Sequence, residues 1–254
     1  MLTFDLDAES VQVRTTPHLP TALSKGQFAR TGVDRILALL DKFAIHATFF
    51  TPAWTAQQYP DLVREIVRRG HELAAHGVLH ENLSELKEGE EETVHETSVR
   101  ILEELGGKRP VGFRAPYYEW STRTAAFLKK YGFLYDSSLM DRDRPYRIRD
   151  GPGAGMYELP VEWFLEDWVF FEEQRQPPSA VLETWRSEFD AVSELEVGYF
   201  ILTMHPECIG RASRIRMLEQ LVDHIRATPG VAFARCDELV EYLSGSQDSH
   251  PGTD

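Results

Sequence analysis

Six residues of types that carry out hydrolysis stand at the ends of apolar strings. Asp5 and Asp7 are two apart in TFDLD, His76 and His80 four apart in AAHGVLHENL, Arg114 closes VGFR, and His205 closes FILTMH. Side chains at i and i+2 of a strand share a face, and two histidines four apart in a helical turn project the same way, so each pair can converge on one point. Arginine beside carboxylates can hold one of them by a bidentate pair. Histidine is a natural proton donor near neutral pH. The same types also have plainer uses. Asp-x-Asp at a strand end makes turns and caps helices, and H-x-x-x-H arises by chance in a chain with nine histidines. His71, before a strand, and His95, in an acidic helix, read as structural or solvated.

The elements that must position these residues follow a βαβα alternation. Strands are expected at Leu2–Leu6, Ala47–Thr51, Glu72–Ala75, Val111–Arg114, Phe133–Asp136, Met156–Val161, Tyr199–Met204 and Val231–Ala234. Helices with apolar faces fall between them, at Gly32–Phe43, Pro60–Arg69, Glu90–Leu105, Thr122–Tyr131, Ala180–Glu194, Arg211–Thr228 and Asp237–Leu243. Alternating units imply a parallel sheet covered by helices, and about seven or eight of them close a barrel whose active site lies at the carboxyl ends of the strands. The expected fold is therefore α/β, a distorted (β/α) barrel. One domain, residues 1–243, would be followed by a polar, mobile tail, 244–254, and the stretch Met140–Gly155 reads as a long surface loop.

Composition narrows the function. The chain has 254 residues, 27 Lys+Arg against 41 Asp+Glu, and a formal net charge of −14. That balance argues against nucleic-acid binding and against adsorption to anionic membranes. No run approaches the roughly 20 apolar residues that span a bilayer. The N-terminus lacks the basic and apolar regions of an export signal, so cytoplasm is the expected location. Two cysteines are too few for a disulfide scaffold or a cysteine zinc site, so any metal must be held by histidine and carboxylate.

From Thr3 to His205 the chain resembles the polysaccharide deacetylases with the NodB homology domain, carbohydrate esterase family 4. TFDLD is similar to the family's first motif, HGVLH to the second, RAPY to the third and LTMH to the fifth, in the family's order. Two departures mark a subgroup: Leu6 splits the paired aspartates, and the fourth motif is reduced to Asp136-Ser-Ser, with Glu158–Trp168 prominent instead. These features are similar to the subgroup holding allantoinase-like enzymes, cyclic-imide hydrolases and a bacterial peptidoglycan-deacetylase-like enzyme, whose members are cytoplasmic and oligomeric.

The resemblance implies Asp7, His76 and His80 as ligands of a divalent metal, with Zn²⁺ expected and Co²⁺, Ni²⁺ or Mn²⁺ as alternatives. Two imidazoles and a carboxylate leave positions open for water and substrate. It further implies Asp5 as general base aligned by Arg114, the backbone N–H of Tyr117 as oxyanion donor, and His205 as general acid. The expected reaction is hydrolysis of a carbon–nitrogen amide bond in a small cyclic imide or ureide or an N-acetylated compound. An amino-sugar or peptidoglycan-type deacetylase and a catalytically silent scaffold are the alternatives. Substrate contacts are expected from Glu9, Pro116, Tyr117, Trp120, Trp163 and Trp168, with further aromatics at Phe49, Phe50, Trp54 and Tyr118. The apolar run Trp163–Phe171 suggests a homo-oligomer, dimer or tetramer. Cys208, three residues past His205, has no neighbouring base motif and reads as packing.

Overall fold

The computed structural model describes residues 1–195 and 197–248. Eight strands form one sheet: β1 (Leu2–Asp5), β2 (Thr48–Thr51), β3 (Glu72–Ala75), β4 (Gly112–Phe113), β5 (Tyr135–Asp136), β6 (Tyr146–Arg147), β7 (Tyr157–Glu158) and β8 (Leu202–Met204). Their order is β6-β7-β5-β4-β3-β2-β1-β8, parallel throughout except for β6 against β7. β1, β2 and β8 are buried along their whole length, as a sheet covered by helices requires.

The sheet curls into the distorted barrel that the alternation predicted. β4 lies three strand spacings from β1, about 14 Å measured along a sheet, yet the Arg114 guanidinium after β4 bonds Asp5 in β1 at 2.7 Å across the interior. Closure comes from an irregular strap. The chain leaves β7 at Glu158 and eight residues later Glu166 forms a parallel bridge with Thr203 on the open side of β8. The seam between β7 and β8 is thus filled by the strap instead of by a direct ladder.

Helices Ala29–Phe43, Pro178–Glu194 and Ala212–Ala227 bury their apolar faces on one side with Phe4, Phe49, Leu202 and Met204. Helix Glu88–Gly106 packs with Phe113, Leu128 and Phe133 on another. No helix among the described residues is long and apolar enough to cross a membrane.

Three expectations need correction. Val231–Ala234 is not a strand: β8 takes its outer partner from the strap, and the apolar signal reflects Phe233 packing against the core. Met140–Gly155 contains β6, which turns at Gly151 and pairs back through Ile148 N–H to Met156 O at 2.8 Å, so it is a hairpin arm. The last helix, Cys236–Asp248, runs five residues past Leu243; the remainder of the expected tail, 249–254, lies outside the described residues. Short helices the pattern reading passed over, Ser10–Thr15, Pro20–Gln27, Ala53–Gln58 and Pro206–Ile209, lie beside the strand ends.

Candidate active site

The carboxyl end of β1 delivers Asp5 and, two residues on, Asp7. Both are buried. Arg114, fully buried, reaches Asp5 Oδ1 at 2.7 Å and Thr3 Oγ1 at 3.0 Å through Nη1. Its other donors go elsewhere: Nε to Ser137 O at 3.0 Å and Nη2 to Ser137 Oγ at 2.9 Å. The pair is therefore single-pronged, not the bidentate fork expected, because Ser137 occupies the second edge of the guanidinium. Phe50 stacks beneath it, 4.1 Å from the ring centre. Asp5 Oδ2 is left facing the interior, 3.8 Å from His76 Nε2.

His76 and His80 follow β3 in a tight turn, not in the helical turn expected. Gly77 and His80 take left-handed φ of 72° and 55°, which a helix would forbid. The Glu81 carboxylate clamps this turn, accepting from Val78 N–H at 3.0 Å and Leu79 N–H at 2.8 Å. The chain reversal brings both imidazoles to Asp7: His80 Nε2 lies 3.3 Å from Oδ2, and His76 Nε2 3.6 Å from Oδ1. His76 Nδ1 sits 2.7 Å from the Arg114 carbonyl, which can only accept, so Nδ1 carries the hydrogen and Nε2 offers its lone pair.

Asp7, His76 and His80 present one ligand atom each, all within 4.8 Å of one another, and all three residues are buried. Tetrahedral ligation at ordinary zinc–nitrogen and zinc–oxygen lengths puts ligand atoms about 3.3 Å apart, close to the spacings observed. Asp7 Oδ1 is buried without a hydrogen-bond partner. Burial alone would raise the Asp7 carboxyl, but His80, His76 and His205 hold it well below the usual carboxylate range. An ionised carboxylate with an orphaned oxygen beside two neutral-capable imidazoles fits a divalent cation.

Opposite this set, His205 caps β8. Asp167 accepts its Nδ1–H at 2.8 Å and its backbone N–H at 3.0 Å, fixing both ring and tautomer. Burial would lower this histidine, but the Asp167 carboxylate raises it well above the ordinary value. His205 Nε2 is 3.8 Å from Asp7 Oδ2 and 4.0 Å from Glu166 Oε1. Burial pushes Glu166 up to about 8 and Glu207 well above the usual range.

These groups line a cavity of about 210 Å³, shared by Asp5, Asp7, His76, His80, His205 and, as aromatic walls, Tyr117, Tyr118, Trp163 and Trp168. A larger apolar groove of about 710 Å³ along Phe189, Tyr199 and Phe200 gathers no such set. Of the expected substrate contacts, Tyr117, Trp163 and Trp168 line the cavity. The other three do not. Glu9 is occupied by the Tyr59 hydroxyl at 2.7 Å, Pro116 packs beside Gly77, and Trp120 packs into the second apolar cluster. Phe49 and Phe50 are core. His71 and His95 are structural: the His71 Nδ1 accepts from Ala47 N–H at 3.2 Å, and His95 is fully buried among Phe113 and Phe127. Cys208 is fully buried and its thiol is pushed well up, so it is no nucleophile.

Residue types and spacing missed the supports. Asp167, Glu166, Glu207 and Glu81 carry no motif of their own, although Glu81 and Glu207 lie within two residues of a predicted site histidine. Asp136-Ser-Ser, read as a degraded motif, has a use. Ser137 holds Arg114, and the Ser138 hydroxyl accepts from Ala115 N–H at 2.9 Å and donates to Asp136 at 2.9 Å.

Over residues 1–135 the chain matches the model of a family described as polysaccharide deacetylase. It is 31% identical over 255 residues, 87% of each chain, to a peptidoglycan deacetylase of Helicobacter pylori. With a peptidoglycan deacetylase-like protein of Gibberella zeae it shares 38% identity over 289 residues, covering 96% of this chain and 86% of the other. A solved putative polysaccharide deacetylase from Mycobacterium smegmatis superimposes with a TM-score of 0.90 at 36% identity, covering 100% of this chain and 92% of that one. An allantoinase structure superimposes with a TM-score of 0.86 at 24% identity, over 99% and 90% of the two chains, a likeness of fold.

Proposed function

The chain belongs to the polysaccharide deacetylase family and is a hydrolase of non-peptide carbon–nitrogen bonds; from that premise we propose that it opens an amide bond in a small, ring-sized substrate with the help of a divalent cation. The observation that carries the proposal is the convergence of Asp5, Asp7, His76, His80 and His205 on one cavity of about 210 Å³.

Asp7, His76 and His80 would hold the cation, zinc being the best match to one carboxylate and two imidazoles. When bound it supplies a lowered pKa to water and polarises a carbonyl. Asp5 then acts as general base: Arg114 fixes one oxygen, and the other faces the site and takes the proton of the attacking water. The backbone N–H of Tyr117, on a left-handed residue at φ 60°, is the proposed donor to the developing oxyanion. His205, held protonated by Asp167, gives its proton to the departing nitrogen. The complete set leaves no reason to read the barrel as a silent scaffold.

A cavity of this size takes one ring or one acetamido group between aromatic walls, which suits a cyclic imide or ureide. The second reading, an N-acetylated amino sugar or peptidoglycan-type fragment, is favoured by the names of the two curated relatives. A homo-oligomer is part of the proposal: Trp163 at the cavity and Phe164 next to it in sequence, 45% and 55% exposed, offer apolar surface to a second copy. The test is a panel of cyclic imides, ureides and N-acetylglucosamine oligomers assayed for ring opening and for acetate release. Ring opening with kcat/KM at least tenfold above that for acetate release is expected; acetate release alone establishes the second reading, and no turnover of any member contradicts both.

A further inference from the structure

The mechanism above leaves two buried acids at the cavity wall without a task, Glu166 and Glu207, and Glu166 is the one with a carboxyl oxygen beside His205 Nε2. Glu166 is 6% exposed, and its Oε2 has no hydrogen-bond partner. Buried polar atoms in folded proteins are bonded with few exceptions, and each exception calls for an explanation. Its position is fixed from the backbone, since Glu166 makes the bridge to Thr203 that closes the barrel. That bridge aims the side chain at His205, with Oε1 4.0 Å from Nε2.

Four ångströms is too long for a bond between the two groups and right for one atom bridging them. A nitrogen about 2.9 Å from each, the ordinary N–H···O distance, sees them at an angle of about 90°. A pyramidal nitrogen has a similar angle between its lone pair and an N–H bond. His205 Nε2–H is a donor, because Asp167 holds Nδ1, and a carboxyl oxygen accepts. Donor and acceptor flank the place where the departing nitrogen must sit.

We propose that Glu166 accepts the N–H of the scissile bond and so turns the nitrogen lone pair toward His205, making it a specificity-determining residue for bonds whose nitrogen carries a hydrogen. The step stays balanced without it. Water oxygen bonds to the carbonyl carbon and its proton goes to Asp5. As the carbon–nitrogen bond breaks, the electron pair stays on nitrogen and receives the proton of His205. Glu166 transfers nothing. The assignment rests on the hydrolase reading above and extends equally to either substrate class.

Two matched pairs test it: succinimide with N-methylsuccinimide, and an N-acetylglucosamine tetramer with its N-methylated acetamido analogue. In each pair that is turned over, the native enzyme is expected to prefer the N–H member. Glu166→Leu should lower kcat on that member by about tenfold to a hundredfold, the range for one hydrogen bond to a buried acceptor, and abolish the preference. Glu166→Gln, whose amide oxygen still accepts, should keep the preference at reduced rate. Leucine preserves the backbone bridge, and metal content and circular dichroism equal to the native protein would separate lost recognition from lost fold. Absence of any N–H preference in the native enzyme overturns the assignment, whatever the variants do. So does an unchanged preference in Glu166→Leu. Turnover of the sugar pair alone contradicts the small-ring reading while still judging Glu166; turnover of neither pair contradicts both.

Discussion

Asp5 and Asp7 are the same residue type in neighbouring positions, and their surroundings divide the labour. Asp5 is tied to a guanidinium and keeps one oxygen free; Asp7 has imidazoles on three sides. Replacing Asp5 by Asn preserves shape and removes a base, so Asp5→Asn should bind metal normally and lose about 10²- to 10⁴-fold in kcat, the span of general base catalysis. His76→Ala should instead lose the metal. Elemental analysis after dialysis, alongside turnover, separates the two; equal metal content and equal activity in both variants would refute the division. The side chains proposed to touch the reaction were legible because their types and spacings are rare together. Asp167 and Glu166 were not, because an Asp or Glu in an acidic chain carries no signal until the fold shows what it faces.

At the scale of elements, the site depends on how closely short pieces approach. His205 is followed by helix Pro206–Ile209, and that helix lies against helix Ala29–Phe43 at Gly32, where an added Cβ would fall 2.0 Å from the Pro206 carbonyl oxygen. Gly32→Ala must push the two apart. Overpacking of this kind costs about 1–3 kcal/mol, and the displaced turn carries His205 with it. A lowered melting temperature and a lowered kcat with normal metal content are the expected outcome. Gly89→Ala, at a helical position with nothing within 4 Å of the new Cβ, should change neither and serves as control. A Gly32→Ala protein as stable and active as the native one would show that this contact does not hold His205 in place. Long helices and apolar strands were readable from their period. The turn at His76–His80 was not, since its left-handed residues and the local Glu81 carboxylate that clamps its backbone break the helical period which the four-residue spacing suggested.

On the scale of the whole molecule, the barrel turns a linear order of motifs into a ring. β1, β3, β4 and β8 come from stretches spread over some 200 residues of the chain, yet their carboxyl ends point the same way, and curling brings the residue after β4 against β1. The βα alternation announced that arrangement. What it could not announce was the seam: the Glu158–Glu166 strap has no strand period, so the closure, the Glu166 it brings to the cavity and the Asp167 that follows behind His205 stayed hidden. The proposed activity requires that this ring enclose a working cation. The direct measurement is exhaustive chelation followed by stepwise return of Zn²⁺, with bound metal and turnover of the panel substrate read together. Activity that vanishes on chelation and returns in proportion to one ion bound per chain is predicted; full turnover by the metal-free protein would contradict it.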